Sequence, residues 1–252
     1  QLTSFYQQHY SGGDLWRGLF TLPNHTGALH MEGAFSPDST RLACAGGYEF
    51  RVWDVNTGRR LLEIPTDGNG LVNLAYSADG RHLAGGGWDK YIKIWDANTG
   101  EEKRTLPGHS SVVLVVQFSP DGKQLASGGR DNMLKLWDVT TGEETWARAG
   151  HAEQVHSLAF SPDGRLLATG SEDNTTKLWD VATGEERLSM RGHLVSDLAF
   201  SPDGRQLATA GSEDKSVKVW DLAIEREKSV ITLQGHDGDV NAAEFSPDGR
   251  LV

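Results

Sequence analysis

The chain has 252 residues, of which 37% are hydrophobic and 23% are charged, a composition typical of a globular domain. It carries 35 acidic and 24 basic residues, and the net charge of −11 argues against a general affinity for nucleic acid or anionic lipid. The longest apolar run, Val112 to Val116, is too short to span a membrane. Since Cys44 is the only cysteine, no internal disulfide can form, and we expect a reducing, cytoplasmic compartment.

A pattern that recurs through the chain is weakest in the first 23 residues. Residues 11–14 read Ser-Gly-Gly-Asp and are similar to a turn found in later copies. Residues 15–22 are therefore predicted to form an outer strand, and residues 1–10 a degenerate inner strand. The chain starts at Gln1 and stops two residues into a predicted strand, so we expect it to be a piece of a longer protein.

From residue 24 onward the pattern is clear and repeats six times, the last copy stopping after the turn at residues 245–249. The fifth copy has lost two residues after His193 and gained one near Ser212, and a charged connection, residues 222–229, precedes the sixth. Successive Trp-Asp pairs are 42, 42, 42 and 41 residues apart, and such a period decides the fold before any other signal. The pairs are Trp53-Asp54, Trp95-Asp96, Trp137-Asp138, Trp179-Asp180 and Trp220-Asp221.

Within each copy the local signals are those of short strands joined by tight turns. Val155 to Phe160 is a β-rich segment that precedes a Pro-Asp-Gly turn, in which proline presets φ and glycine permits positive φ. No segment shows sustained 3.6-residue apolar periodicity with helix caps. We therefore predict an all-β chain with almost no helix.

The most regular copy runs from Gly150-His151 through the turn Phe160 to Gly164 and the strand Leu167 to Gly170, and closes at Trp179-Asp180. This order of elements resembles the WD40 repeat, and the resemblance covers nearly all of residues 24–252. It implies a β-propeller, in which four-stranded antiparallel blades surround a central channel. The nearly regular third and fourth copies are similar to bacterial WD40 arrays, which are often attached to kinase, NTPase or peptidase modules.

The resemblance also implies that the repeat is offset from the blade, because the strand before each Gly-His pair is the outer strand of the preceding blade. Five complete blades are then predicted, ending near residues 64, 107, 149, 191 and 234. The strand at 15–22 and the strand from Val240 to Phe245 are left over, and they could close a sixth blade shared by the two chain ends. Alternatively the intact molecule has seven blades. In both cases residues 1–252 belong to a single propeller domain.

Three copies carry histidine, a hydroxyl residue, aspartate and tryptophan in the same order. The sets are His109, Ser127, Asp131 and Trp137; His151, Thr169, Asp173 and Trp179; and His193, Thr209, Asp214 and Trp220. Such residues could suggest a hydrolase triad, but the resemblance implies a buried hydrogen-bond relay that ties the strands of each blade together. A structural relay is expected to repeat, whereas a catalytic triad repeated in one domain would be unusual.

The relay is incomplete in the first two copies. The second has Asp67 and Gly85 in place of the histidine and the hydroxyl residue, although it keeps Asp89 and Trp95. The first keeps His25 and Trp53 but has Cys44 and Glu49. We expect these two blades to be less rigid than the others.

No motif predicts a metal or a cofactor. The nine histidines are scattered, and no Cys-x-x-Cys, His-Glu-x-x-His or calcium-loop spacing occurs. Gly85-Gly86-Gly87 lies between strand residues rather than ahead of a helix, so it does not fit a phosphate-binding loop. We therefore predict a protein that is not an enzyme and holds no cofactor.

Positions that differ between the copies are free to serve binding. The most useful variable position immediately precedes the aspartate of the inner turn, and the resemblance implies that this turn lies on the narrow face, beside the channel mouth, where partners commonly dock. Tryptophan, tyrosine and arginine dominate the energetics of protein interfaces, so these positions are the predicted partner-binding rim. The rim residues are Tyr48, Trp88, Arg130, Glu172 and Glu213. A second candidate surface follows the Gly-His pairs, at Gln154, Asp237 and Asp239.

The sequence therefore favours a non-catalytic propeller that binds a protein or peptide, or another domain of its own polypeptide, as a scaffold, sensor or regulatory domain. No nucleic-acid or membrane partner is expected. The alternative is a small-molecule-binding or enzymatic propeller, which would require titratable groups that converge at the mouth of the channel.

Overall fold

The structure is a computed structural model that describes residues 33–46, 49–66, 70–223 and 230–252. Within these ranges there are 20 β-strands and no helix, which confirms the all-β prediction. No helix in this described part is therefore long and apolar enough to cross a membrane.

The strands form five separate four-stranded antiparallel sheets, each an up-and-down meander in chain order. Blade one consists of β1 (Gly33–Phe35), β2 (Arg41–Gly46), β3 (Glu49–Asp54) and β4 (Arg60–Pro65). Blade two consists of β5 (Leu71–Tyr76), β6 (His82–Gly87), β7 (Tyr91–Asp96) and β8 (Glu102–Pro107). Blade three consists of β9 (Val113–Phe118), β10 (Gln124–Gly129), β11 (Met133–Asp138) and β12 (Glu144–Ala149). Blade four consists of β13 (Val155–Phe160), β14 (Leu166–Ser171), β15 (Thr175–Asp180) and β16 (Glu186–Arg191). Blade five consists of β17 (Val195–Phe200), β18 (Gln206–Gly211), β19 (Val217–Asp221) and β20 (Val230–Leu233).

The five predicted blades are confirmed, with outer strands that end close to the predicted positions. The first strands of consecutive blades lie side by side, so the sheets are arranged around a common inner edge. Residues 1–32, including the predicted strand at 15–22, and Tyr48 lie outside the described residues.

The core lies between the blades, because a sheet that lies between two others is covered by a neighbour on both faces. In β7, Ile92 and Ile94 point to one side and Trp95 to the other, and all three side chains are buried. Phe50 of blade one meets the Trp95 ring edge-on, with the ring centroids 4.8 Å apart. A sheet buried on both faces needs apolar residues in consecutive positions, which explains why these strands do not strictly alternate.

The segment from Val240 to Phe245, predicted as a strand, lies beside blade five but pairs with no described strand. The backbone N–H of Ala243 donates to Asp197 Oδ2 at 3.2 Å, as that of Val116 donates to Asn73 Oδ1 at 2.9 Å between blades two and three. Val240 and Ala243 are buried against blade five. The segment thus has the position of the first strand of a sixth blade.

The turn that follows this segment repeats a contact seen between complete blades. A Cβ added to Gly249 would lie 3.4 Å from Cδ of Pro202, and one added to Gly164 would lie 3.7 Å from Cδ of Pro120. Both glycines have φ near +70°, a conformation in which glycine avoids the strain of a side chain. Residues 240–249 therefore continue the blade-to-blade arrangement beyond blade five.

Candidate functional site

One end of the sheets carries the turns between the second and third strands and the loops that enter the first strands. This is the end expected to be the narrow face, and we use that name for it. In three blades the turn residue donates its backbone N–H to a carbonyl of the entering loop, so its side chain emerges at the same place on each blade. These bonds run from Trp88 N to Gly70 O at 3.3 Å, from Arg130 N to Val112 O at 2.9 Å and from Glu172 N to Gln154 O at 3.2 Å.

Trp88 is the exposed tryptophan of the described part of the chain. It is 55% exposed, whereas the six other described tryptophans are at most 7% exposed. A buried tryptophan contributes to packing, but an exposed one on a turn leaves a large apolar surface in water. The buried tryptophans are Trp53, Trp95, Trp137, Trp146, Trp179 and Trp220.

Arg130 of blade three lies over the indole ring of Trp88 in blade two, with its Cζ 5.0 Å from the ring centroid. This is the distance of a cation–π contact, which orders both side chains across the boundary between the blades. Arg130 is exposed and makes no ion pair within the ranges that the structure describes. Its N–H groups are available to a partner.

Glu172 is not a free acidic position. His156 Nε2 lies 2.8 Å from Glu172 Oε1, and Gln154 donates to Glu172 Oε2 at 3.2 Å. Glu172 and Gln154, which were assigned to two candidate surfaces, therefore belong to one polar cluster on blade four. His156 was not singled out by the sequence, although it is the only histidine on a described first strand.

In blade five the turn is one residue longer, and this changes which residue is equivalent. Ser212, not Glu213, donates its backbone N–H to the entering loop, at 3.4 Å from Leu194 O. Glu213 is the additional residue and is exposed. Counting back from Asp214 therefore does not identify the structural counterpart of Trp88 in this blade. Asp237 and Asp239 are exposed, and Lys215 donates to the Asp237 carbonyl at 2.7 Å.

Beneath these turns, the three predicted relays are present. In blade four, Trp179 Nε1 donates to Thr169 Oγ1 at 2.9 Å, and His151 joins Thr169 Oγ1 (2.7 Å) to Asp173 Oδ2 (3.0 Å). The same contacts occur in blade three, from Trp137 through Ser127 and His109 to Asp131, and in blade five, from Trp220 through Thr209 and His193 to Asp214.

The relay contacts shift the proton affinities of their members. Burial lowers the pKa of His151 and outweighs the opposite effect of Asp173, so the imidazole is neutral at pH 7. Burial by itself would raise the pKa of Asp131, but hydrogen bonds with His109 and with backbone N–H groups lower it to about 2. A neutral histidine beside an ionised carboxylate suits a fixed structural bridge.

Two further residues join the relays and were missed in the sequence. Thr175 donates to Asp173 Oδ1 at 2.6 Å and lies 3.1 Å from His151 Nδ1. Lys218 bonds with Asp214 and lies 2.9 Å from His193 Nδ1. The lysines at the equivalent positions of blades three and four, Lys135 and Lys177, instead pair with a glutamate of the outer strand. β20 begins with valine where the outer strands of blades three and four begin with glutamate. This missing partner was the signal in the sequence that Lys218 would pair elsewhere.

Blade two replaces its relay with apolar packing. A Cβ on Gly85 would lie 2.9 Å from Leu74 Cδ2 and 3.2 Å from Leu71, so leucines occupy the space of the missing hydroxyl residue. Asp89 remains and accepts the Tyr91 backbone N–H at 3.1 Å. Asp67, predicted to replace the histidine, and His25 lie outside the described residues.

A cavity of about 270 Å³ lies at the opposite end of the sheets, between blades one and two. Its acidic residues serve their own turns: Asp38 accepts bonds from Ser36 and Thr40, and Asp79 from Ser77 and Arg81. Within the ranges that the structure describes, no group of three or more histidine, cysteine or acidic residues could hold a metal ion. Because the cavity lies at the end opposite the narrow face, it is separate from the turns that carry Trp88 and Arg130.

Comparison with known proteins identifies the family that shares this architecture. The family "WD domain, G-beta repeat" matches residues 60–96, 100–138, 142–180, 184–221 and 227–252, and the first four matches each run from an outer strand to the third strand of the next blade. A chain in the crystal structure of the mitotic checkpoint complex is similar, with a TM-score of 0.78 and 26% identity over 86% of this chain and 68% of that chain. No curated protein matches. Since the family match covers more than half of the sequence, this chain belongs to the WD domain, G-beta repeat (WD40) family.

Proposed function

We propose that this chain is a non-catalytic interaction domain that binds a protein or peptide segment through its narrow face, as a scaffold or regulatory unit. The observation that carries the proposal is the pair formed by Trp88 and Arg130. An exposed tryptophan held by an arginine from the next blade is a preorganised pair of the residue types that dominate interface energetics. The pair spans two blades, so a partner would contact the assembled ring and not one repeat.

The buried relays support the same function in a different way. In blade three the relay fixes the Arg130 turn, because Asp131 accepts the backbone N–H of Ser110 in the entering loop and of Met133 after the turn. Blade two has no relay, and Trp88 is held there by the cation–π contact with Arg130. A turn that is rigid before binding loses little conformational entropy when a partner docks. The histidine, hydroxyl and aspartate residues are thus assigned to the scaffold and not to hydrolysis.

The alternative, a small-molecule site or an enzyme, receives less support. The carboxylates that line the cavity between blades one and two have lowered pKa values, and for Asp38 the value is about 2, because turn hydroxyl and N–H groups bond to them. A catalytic acid or base would need a pKa closer to neutrality. These groups therefore serve the turns.

The similarity to a chain of the mitotic checkpoint complex is an analogy that supports a role in a multiprotein assembly. The partner is a separate protein or another domain of the same polypeptide. We also propose a cytoplasmic location, which the single cysteine supports, and the net charge of −11 disfavours nucleic acid and anionic membranes as partners.

The test is site-specific photo-crosslinking in an extract of the source cells. A benzophenone amino acid at Tyr91, which follows the Trp88 turn and is 47% exposed, should form an adduct with a polypeptide, and the same group at Lys123, at the opposite end of blade three, should not. Trp88→Ala should reduce the adduct about tenfold or more, the loss expected for a residue that dominates an interface. Ile231→Ala, which removes another exposed apolar side chain, should leave it unchanged. An equal adduct from position 123, or one that does not depend on Trp88, would contradict the proposal.

A further inference from the structure

The turn that carries Trp88 and the turn that carries Arg130 each place an exposed cation at the narrow face. Lys90 follows Trp88 by two residues, and its carbonyl accepts the backbone N–H of His109, where blade three begins. Neither Lys90 nor Arg130 makes an ion pair within the described part of the chain. Many other cations there have acidic partners, such as Lys135 with Glu144 and Lys177 with Glu186. We call Trp88, Lys90 and Arg130 the cationic sector.

The nearest acidic residues in sequence, Asp89 and Asp131, do not form ion pairs with this sector. Asp89 accepts the backbone N–H of Tyr91, and Asp131 accepts bonds from His109 and from the backbone N–H of Ser110. Both carboxylates are thus oriented by bonds within their own turns, and neither forms an ion pair with Lys90 or Arg130. The cationic sector therefore presents two cations without an ion-pair partner beside a large apolar ring, although the chain as a whole carries −11.

We propose that the cationic sector binds an acidic peptide segment of the partner, with a carboxylate accepted by Arg130 and an apolar side chain beside it packed on Trp88. This inference rests on the proposed function and names the chemistry of the partner. A guanidinium held on an aromatic ring has lost much of its rotamer freedom before it meets a carboxylate, and it can donate two parallel N–H bonds. Lys90 adds a second, more mobile charge for a neighbouring acidic residue.

Electrostatic screening by salt favours a short anionic ligand over a long one. At physiological salt the Debye length is about 8 Å, so a short acidic segment interacts mainly with the residues of these two turns and little with the acidic residues elsewhere on the surface. A nucleic acid carries its charges over a much longer distance and would meet the acidic remainder of the surface, including Glu213, Asp237 and Asp239. We therefore assign the anionic ligand of the cationic sector to a peptide and not to a nucleic acid.

The experiment is selection of phage-displayed random decapeptides on the whole chain at 150 mM salt. Wild-type protein should enrich peptides in which aspartate or glutamate adjoins an apolar residue, and Arg130→Glu should remove that enrichment and favour lysine or arginine. A selected peptide should bind about tenfold more weakly to Arg130→Gln. Replacing its acidic residues by glutamine should weaken binding to wild type but add little for Arg130→Gln, since the two changes remove the same contact.

Lys123→Gln is the matched control, because it removes an exposed charge from the same blade at the opposite end, and binding should stay within about twofold. Selected peptides that depend on Trp88 but lack acidic residues would overturn the acidic inference and leave the proposed function standing. An oligonucleotide of twenty thymidines that binds as tightly as the peptides, and is weakened equally by Arg130→Gln, would also overturn it. Selection of no Trp88-dependent peptide would overturn this inference, while the crosslinking test decides the proposed function.

Discussion

Replacing His151 by alanine should destabilise the whole domain by removing the centre of the relay in blade four. The imidazole has no exposed surface, and it connects Thr169 Oγ1 at 2.7 Å with Asp173 Oδ2 at 3.0 Å. After the substitution the hydroxyl of Thr169, which is fully buried, still accepts from Trp179 but has lost the acceptor for its own proton. Asp173 keeps bonds from Ala152 and Thr175.

The magnitude can be worked from these contacts. The unpaired hydroxyl and the weakened carboxylate each cost about 1 kcal/mol. The space left by the ring adds about 1–2 kcal/mol, because the surrounding side chains relax only in part. We expect a loss of about 3–4 kcal/mol, which for a chain of this length lowers the melting temperature by roughly 6–16 °C.

His156→Ala is the matched control in the same blade. His156 also faces a carboxylate, Glu172, at 2.8 Å, but its side chain is 32% exposed and that of Glu172 is 35% exposed. A pair this accessible contributes less than about 1 kcal/mol, so the control should melt close to wild type. Thermal unfolding followed by circular dichroism measures both variants. If His151→Ala melts within error of His156→Ala, the relay does not stabilise the fold and the argument is wrong.

Wild type and His151→Ala together test the pH dependence of the stabilisation by His151. Burial lowers the pKa of His151 below its ordinary value of 6.5, so the unfolded chain binds a proton more readily than the folded one. The stabilisation by this group is complete above pH 6.5 and is lost as the pH falls through the folded-state pKa. We expect the difference in unfolding free energy between wild type and His151→Ala to shrink from pH 7.5 to pH 5. A constant difference over urea titrations in this range would contradict it.

Three other substitutions test the packing of the blades. Tyr76→Phe should stabilise the domain by about 1 kcal/mol in urea unfolding, because the Tyr76 hydroxyl is buried without a hydrogen-bond partner within the ranges that the structure describes; a loss of stability would show that the hydroxyl is satisfied. Ala78→Pro should raise stability by about 0.4–1 kcal/mol, since the other copies have proline there and the Cβ direction of Gly122 is open where that ring would lie; a lower melting temperature would refute this. Gly170→Ala should destabilise by about 1–3 kcal/mol, because its Cβ would lie 2.4 Å from Val195 Cγ1; an unchanged melt would mean that β17 moves freely.

Sequence alone determined the blades, because each is built from contacts within about forty residues. The strand lengths, the turns and the relay partners recur at a fixed spacing, and local hydrogen bonding decides each of them. Together with the WD40 resemblance, which implied the offset between repeat and blade and the hydrogen-bond relay, this periodicity allowed the five blades and the three relays to be predicted before the structure was known.

Tertiary structure decided the features that depend on distances between blades or on the register of a turn. The placement of Arg130 over Trp88 joins residues 42 positions apart in the sequence, and no spacing rule predicts which way an arginine side chain turns. The extra residue in the fifth turn transfers the rim position from Glu213 to Ser212, because the backbone bond to Leu194 sets the register and not the distance to Asp214. Contacts between neighbouring sheets form only when the blades are assembled, whereas one repeat of the sequence specifies the strands and turns of about one sheet.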